Sequence, residues 1–236
     1  MSGARQEELA ASLRAVRERI DAACAAAGRA PADVQLVVIT KYFPASDIGI
    51  LAELGVTAIG ENKDQEAGAK VAELDPDLRG RLTVHFVGQL QSNKAGHVAA
   101  YADVVQSVDR GKIARALQRG AERADRRLEV TIQVDLDGSD PGRGGTLPDE
   151  VEQLAAQIGE CDRLRLRGVM AVAPRGPDPA QAFERLAEVS HRLREQVPGA
   201  DWISAGMSGD LEQAIAAGAT HLRVGSAILG SRPVRR

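Results

Sequence analysis

Leu36-Val37-Val38-Ile39-Thr40-Lys41-Tyr42-Phe43-Pro44 is the stretch that decides the fold. Its four leading residues are apolar and mostly β-branched, the composition of a strand buried on both faces of a parallel sheet. A doubly wound nucleotide-binding sheet would follow such a first strand with a G-x-G-x-x-G loop. Here lysine, tyrosine, phenylalanine and proline follow instead.

The same alternation continues downstream. Apolar runs stand at Leu36–Thr40, Thr57–Gly60, Leu82–Val87, Asp103–Val108, Val130–Leu136, Leu166–Ala173, Trp202–Ala205 and His221–Val224. Amphipathic stretches separate them at Asp47–Leu54, Lys63–Leu74, Ile113–Ala124, Glu150–Ile158, Pro179–Gln196 and Gly209–Ala217. Parallel strands need a crossover between them, and helices supply it. The alternation therefore predicts an α/β fold, a (β/α)8 barrel of the TIM type, as a single domain over residues 1–236. Upstream, Leu9, Leu13, Val16, Ile20 and Cys24 recur at steps of four and three, which places them on one helical face. Gly28 and Pro31 are stop signals, so an extra N-terminal helix within residues 1–30 is expected to pack on the barrel.

Bulk composition narrows the function classes. The chain has 236 residues, 44% of them hydrophobic, and a formal net charge of -3, which asks for neither nucleic acid nor an anionic membrane surface. Cys24 and Cys161 are far apart, with no disulfide or metal-ligand spacing. No apolar signal region and no run of ~18 apolar residues is present. The expectation is a cytoplasmic protein and a monomer.

In barrels of this kind the active face lies at the C-terminal ends of the strands. Lys41 closes the first predicted strand there, where partial desolvation would favour a neutral, nucleophilic amine. A solvated strand-end lysine is the commoner meaning of such a position. After strands seven and eight come Gly206-Met207-Ser208-Gly209-Asp210 and Gly225-Ser226-Ala227. Small residues in these two loops let backbone N–H groups reach an anion, the usual phosphate position in such barrels. Ser208 could equally cap the next helix, with Asp210 and Glu212 in its first turn. Arg223 shares a strand face with His221 and Gly225, directed into the barrel, where it needs an acceptor: a ligand, or a carboxylate such as Glu61 or Asp135. His85 on strand three reads as a hydrogen-bonded core histidine or a base. The glycine-rich segment Asp137–Gly145, with Arg143, reads as a flap or a set of turns.

Together these residues resemble the YggS/PROSC family of pyridoxal 5′-phosphate (PLP) homeostasis proteins, related to the barrel domain of alanine racemase. The resemblance is carried by Val38-Ile39-Thr40-Lys41, Ile59-Gly60-Glu61-Asn62 and His85-Phe86-Val87-Gly88-Gln89-Leu90-Gln91-Ser92-Asn93-Lys94. Gly168-Val169-Met170-Ala171, Gly206-Met207-Ser208 and Arg223-Val224-Gly225 continue it. It implies PLP held as a Schiff base on Lys41, with Asn62 near the cofactor and Arg223 facing the pyridine nitrogen. Ser208, Gly225 and Ser226 would hold the phosphate. Ala205, Ser226 and Leu229 depart from the family's usual methionine, threonine and phenylalanine. The resemblance further implies a role in PLP supply, with apo PLP enzymes as partners and no substrate turnover. Two other readings stay open: a PLP-dependent amino-acid racemase, and a Schiff-base lyase or isomerase acting on a sugar phosphate. The racemase reading lacks a second base. Alanine racemases take theirs from an added β domain, which is not expected here, and strand alternation is expected to turn Tyr42 away from Lys41.

Overall fold

The computed structural model describes residues 2–138, 144–174, 176 and 178–231. Eight parallel strands close into a barrel in sequence order, as the alternation predicts. They are β1 Gln35–Ile39, β2 Ala58–Glu61, β3 Thr83–Phe86, β4 Val104–Val108, β5 Leu128–Gln133, β6 Leu164–Met170, β7 Trp202–Ser204 and β8 His221–Val224. The helices are α1 Ser2–Ala26, α2 Ala45–Glu53, α3 Asp64–Ala72, α4 Pro76–Gly80, α5 Ala95–Tyr101, α6 Gly111–Arg123, α7 Val151–Gly159, α8 Pro179–Gln196, α9 Leu211–Ala216 and α10 Ser226–Leu229. The short helices α4 and α5 are not among the sequence-predicted ones. Strands β5 and β6 start two residues earlier and stop three earlier than the apolar runs, whose C-terminal parts already belong to mouth loops. No described helix is long and apolar enough to cross a membrane.

Burial follows strand alternation. Val38, Ile59, Val84, Phe86 and Val105 join the large apolar cluster beneath the helices, whereas Val37, Ile39 and Ala58 form a separate small cluster inside the barrel. Helix α1 buries Leu9, Leu13, Val16, Ile20 and Cys24. Three arginines fix its course. Arg5 pairs with Asp47 at 2.7 Å, Arg19 with Glu212 at 2.8 Å, and Arg29 donates to the carbonyls of Ile215 and Ala219 at 2.9 and 2.8 Å.

The barrel interior is unusually polar. Arg223 Nη1 donates to Ser204 Oγ at 2.6 Å, Ser204 Oγ donates to Gln106 Oε1 at 2.7 Å, and Gln106 Nε2 lies 2.8 Å from His85 Nδ1. Because the Gln106 oxygen accepts from Ser204, its amide must donate, so His85 carries its proton on Nε2. His221 lies beyond, its ring centroid 6.2 Å from that of His85 and 4.1 Å from that of Trp202. Burial first, then the neighbouring His221, pushes His85 down to about 3. Burial first, then the charges of Arg167 and Arg223, pushes His221 down to about 4.

Both histidines are thus neutral in the folded barrel and bind protons more readily once unfolded. Their contribution to stability is complete above the ordinary value of 6.5 and is lost as pH falls toward 4 and 3. The loss is expected to be on the order of a few kcal/mol in all. Melting temperatures measured from pH 7 to pH 4 should fall less steeply for His221→Asn than for the parent protein. Parallel curves would show that His221 does not govern acid stability.

Candidate functional site

At the C-terminal mouth of the barrel lies a cleft of about 600 Å³, within the range of small-molecule sites. Lys41, Asn62, Ser208, Arg223, Gly225 and Ser226 all line it. The six residues singled out in the sequence, drawn from four separate strand ends, therefore share one cavity.

Lys41 does not end a strand. β1 stops at Ile39, and Lys41 lies in the turn that follows. The Phe43 N–H donates to the Thr40 carbonyl at 3.1 Å, and Tyr42 has φ 71°. A positive φ confined to the third residue marks a type II turn, with Lys41 in its second position. Glycine or asparagine usually takes that third place. A tyrosine there costs on the order of 1–2 kcal/mol. The turn also corrects the expected direction of Tyr42. Alternation stops at Ile39, and the Tyr42 ring centroid lies 5.9 Å from Lys41 Nζ and 5.0 Å from Lys63 Nζ. Tyr42 is nonetheless not a lining residue of the cleft.

The far end of the cleft is built from the loops after β7 and β8. Ser208 Oγ accepts from the Ala227 N–H at 3.3 Å and lies 3.2 Å from Ser226 Oγ. Ser208 therefore serves the start of α10 rather than capping α9. Asp210 is turned back into its own loop, where it accepts from the Met207 N–H at 2.6 Å. From behind, Arg19 of α1 donates to the Ser208 carbonyl at 3.1 Å.

Arg223 meets neither of the carboxylates considered for it. Its Nη1 donates to Ser204 and its Nη2 to the Ala171 carbonyl at 2.7 Å. Glu61 faces outward, because β2 alternation turns Gly60 inward, and it pairs with Lys70 at 2.7 Å beneath α3. Asp135 accepts from the N–H groups of Asp137 and Gly138, both at 3.1 Å. Burial pushes the Arg223 guanidinium down to about 10, opposed by the charge of Asp210, so it remains a cation at neutral pH. Among the described residues two of its five donors meet protein acceptors, and the residue itself lines the cleft.

Asn62 supplies the sharpest test of fit. Its Oδ1 is buried and has no hydrogen-bond partner among the described residues. A buried polar atom of this kind usually marks a ligand or a water. Gly88 makes the position possible, since any β-carbon there would overlap the Asn62 backbone. His85, by contrast, is sealed below the Arg223 network and does not line the cleft. Of the segment Asp137–Gly145, residues 139–143 lie outside the described residues, and with them Arg143 and the flap expectation. Gly144 is described, and its carbonyl accepts from Gln133 Nε2 at 2.9 Å. No metal-ligand cluster is found among the described residues.

The cleft thus offers an amine at one side, a buried cation at its floor, and paired hydroxyls beside a helix start at the other. Such an array suits a small, amine-reactive molecule that carries an anionic group.

Residues 11–233 match the model of the alanine racemase N-terminal domain. A pyridoxal phosphate homeostasis protein of Mycobacterium tuberculosis is 43% identical, the match covering 98% of this chain and 95% of the relative. Another, of Corynebacterium glutamicum, is 46% identical over 93% of this chain and all of the relative. The structure of PipY of Synechococcus elongatus, solved with PLP bound, superposes with a TM-score of 0.81 at 32% identity, covering 94% of this chain and 100% of that one. The chain belongs to the alanine racemase N-terminal domain family and, within it, to the pyridoxal phosphate homeostasis proteins.

Proposed function

We propose that this protein binds PLP in the mouth cleft as a Schiff base on Lys41 and keeps it available inside the cell, without turning over a substrate. The observation that carries this reading is the convergence of Lys41, Asn62, Arg223, Ser208, Gly225 and Ser226 on one cleft. The PLP present in the PipY structure and the shared family name support it. Bound PLP supplies an electrophilic aldehyde and a ring able to delocalise negative charge. Lys41 provides the amine. Ser208, Ser226 and the backbone at Gly225 receive the phosphate, and Asn62 gives its unpartnered oxygen to the ligand or a bridging water. Arg223, cationic and fixed by Ser204 and Ala171, donates toward the ring nitrogen and keeps it unprotonated.

That last role is what argues against racemisation. An unprotonated ring nitrogen is a poor electron sink, and racemisation also needs a base on each face of the α-carbon. Lys41 is one candidate base. Among the described residues lining the cleft there is no histidine, tyrosine, cysteine or carboxylate to be the other. Apo PLP enzymes are the recipients this reading implies, with the protein acting as a cytoplasmic monomer.

Borohydride reduction of the PLP-loaded protein should add one PLP-sized mass to the peptide containing Lys41, and Lys41→Ala should lose the visible chromophore. An adduct on Lys63 or Lys94 instead would overturn the assignment.

Ser208→Ala should weaken PLP binding only in part, by roughly 1.5–3 kcal/mol, because backbone donors share the phosphate. Gly225→Asp should cost far more, since it brings a negative charge and crowds the Ile39 carbonyl, 3.1 Å from where a β-carbon would stand. Parent-like affinity in a folded Gly225→Asp protein would place the phosphate elsewhere.

Incubation of the loaded protein with L-alanine in heavy water should give α-proton exchange and racemisation no faster than free PLP. Faster rates that vanish in Lys41→Ala would establish the racemase reading.

A further inference from the structure

The turn that carries Lys41 is tied on both sides to a single helix. On the N-terminal side, Lys70 Nζ donates to the Thr40 carbonyl at 2.9 Å and to Glu61 Oε1 at 2.7 Å. Thr40 Oγ1 donates to the same carboxylate oxygen at 2.6 Å. On the C-terminal side, Glu66 Oε1 accepts from the Tyr42 N–H. Glu66 and Lys70 are one turn apart on α3, with 3.5 Å between Oε1 and Nζ. Lys70 and Glu66 thus hold the backbone immediately before and after Lys41, and Glu61 holds Lys70 and the Thr40 hydroxyl.

Packing alone does not account for this arrangement. The Glu61 side chain is 0% and that of Lys70 7% exposed, and apolar residues commonly serve stability as well as a buried ion pair does. Tyr42 meanwhile keeps a left-handed φ of 71°, a conformation that persists only where its surroundings enforce it. Helix α3 supplies that enforcement, and the residue next to the constraint is the cleft lysine.

We propose that Glu61, Glu66 and Lys70 are positioning residues for Lys41, holding the Thr40–Tyr42 turn in the geometry that directs the lysine amine into the mouth cleft. The proposal rests on the reading of Lys41 as the cofactor lysine. In Schiff-base formation the uncharged Lys41 amine gives its Nζ lone pair to the aldehyde carbon. Its two N–H hydrogens leave with the aldehyde oxygen as water, and a C=N bond remains. The three positioning residues touch none of these atoms. They act by restricting the directions Lys41 can sample, and the rate of bond formation depends steeply on such alignment.

The test compares the parent protein with Glu66→Leu, Glu66→Ala, Glu66→Gln and the double variant Glu61→Gln with Lys70→Met. Stopped-flow absorbance gives the rate of Schiff-base formation with PLP. Pyridoxine 5′-phosphate, which has an alcohol in place of the aldehyde, reports ring and phosphate binding without bond formation. Glu66→Leu and Glu66→Ala should form the Schiff base about tenfold more slowly, with pyridoxine 5′-phosphate affinity within about twofold of the parent. Glu66→Gln keeps an oxygen acceptor for the Tyr42 N–H and should recover most of the rate. The double variant, which removes the buried Glu61–Lys70 pair together and leaves the partly exposed Glu66 carboxylate in place, should be slow as well. Parent-like rates in both Glu66→Leu and Glu66→Ala would overturn the proposal. So would a slow rate matched by an equal loss of pyridoxine 5′-phosphate affinity, or a Glu66→Gln protein no faster than Glu66→Ala. If the parent protein itself gives no borohydride-stable adduct on Lys41, it is the cofactor-lysine reading that fails.

Discussion

Gln35 pairs with His221, Leu36 with Leu222, Val37 with Arg223 and Val38 with Val224, and this register between the first and last strands closes the sheet. Every feature of the mouth depends on it. Parallel neighbours in register present their side chains to the same face, so Arg223 enters the barrel beside Val37. The same register brings the end of β8 against the end of β1: a β-carbon at Gly225 would lie 3.1 Å from the Ile39 carbonyl. A slip of one residue would turn Arg223 out under the helices and bring Leu222 or Val224 inward. The amine of Lys41 and the serine pair of Ser208 and Ser226 would then no longer share a cleft.

Closure places polar groups where they are costly, and the structure offsets that cost by pairing them. A guanidinium inside the barrel loses its water, which is why burial dominates the lowering at Arg223. Ser204 and the Ala171 carbonyl replace part of that water, and Ser204 passes the order on through Gln106 to His85. A chain of hydrogen bonds with fixed direction leaves Arg223 one arrangement, as a donor aimed at the mouth. An apolar filling would pack as densely, but it would leave the cleft floor without a cation.

The mouth itself is supported from outside the barrel. Helix α3 grips the turn at Lys41 through Lys70 and Glu66, and α1 grips the opposite side through Arg19 on the Ser208 carbonyl. Arg5 links Asp47 of α2 to the Leu229 carbonyl of α10, at 2.7 and 3.2 Å. The two ends of the cleft are thereby braced by α1 and α3, neither of which lines it. Preorganisation of this kind lowers the ordering cost of binding a small ligand.

Sequence alone determined the barrel, the N-terminal helix face and six of the residues that line the cleft. These rest on local signals: β-branched runs, helical spacing, glycine and serine after the last strands, and motifs that survive as strings. Strand alternation also sufficed to turn Arg223 inward. What sequence did not determine was who meets whom. Arg223 finds Ser204 and Ala171 rather than Glu61 or Asp135, Ser208 serves α10 rather than α9, and Tyr42 swings beside Lys41. The ties from Lys70 and Glu66 to the Lys41 turn left no trace in the spacing of the residues involved. Periodicity fixes the face a side chain occupies but not its neighbours across strands, which depend on closure register. Backbone turns at strand ends lie beyond the alternation that predicts direction. The partners in a closed barrel are set by the ring of strands as a whole, and only the tertiary structure contains that ring.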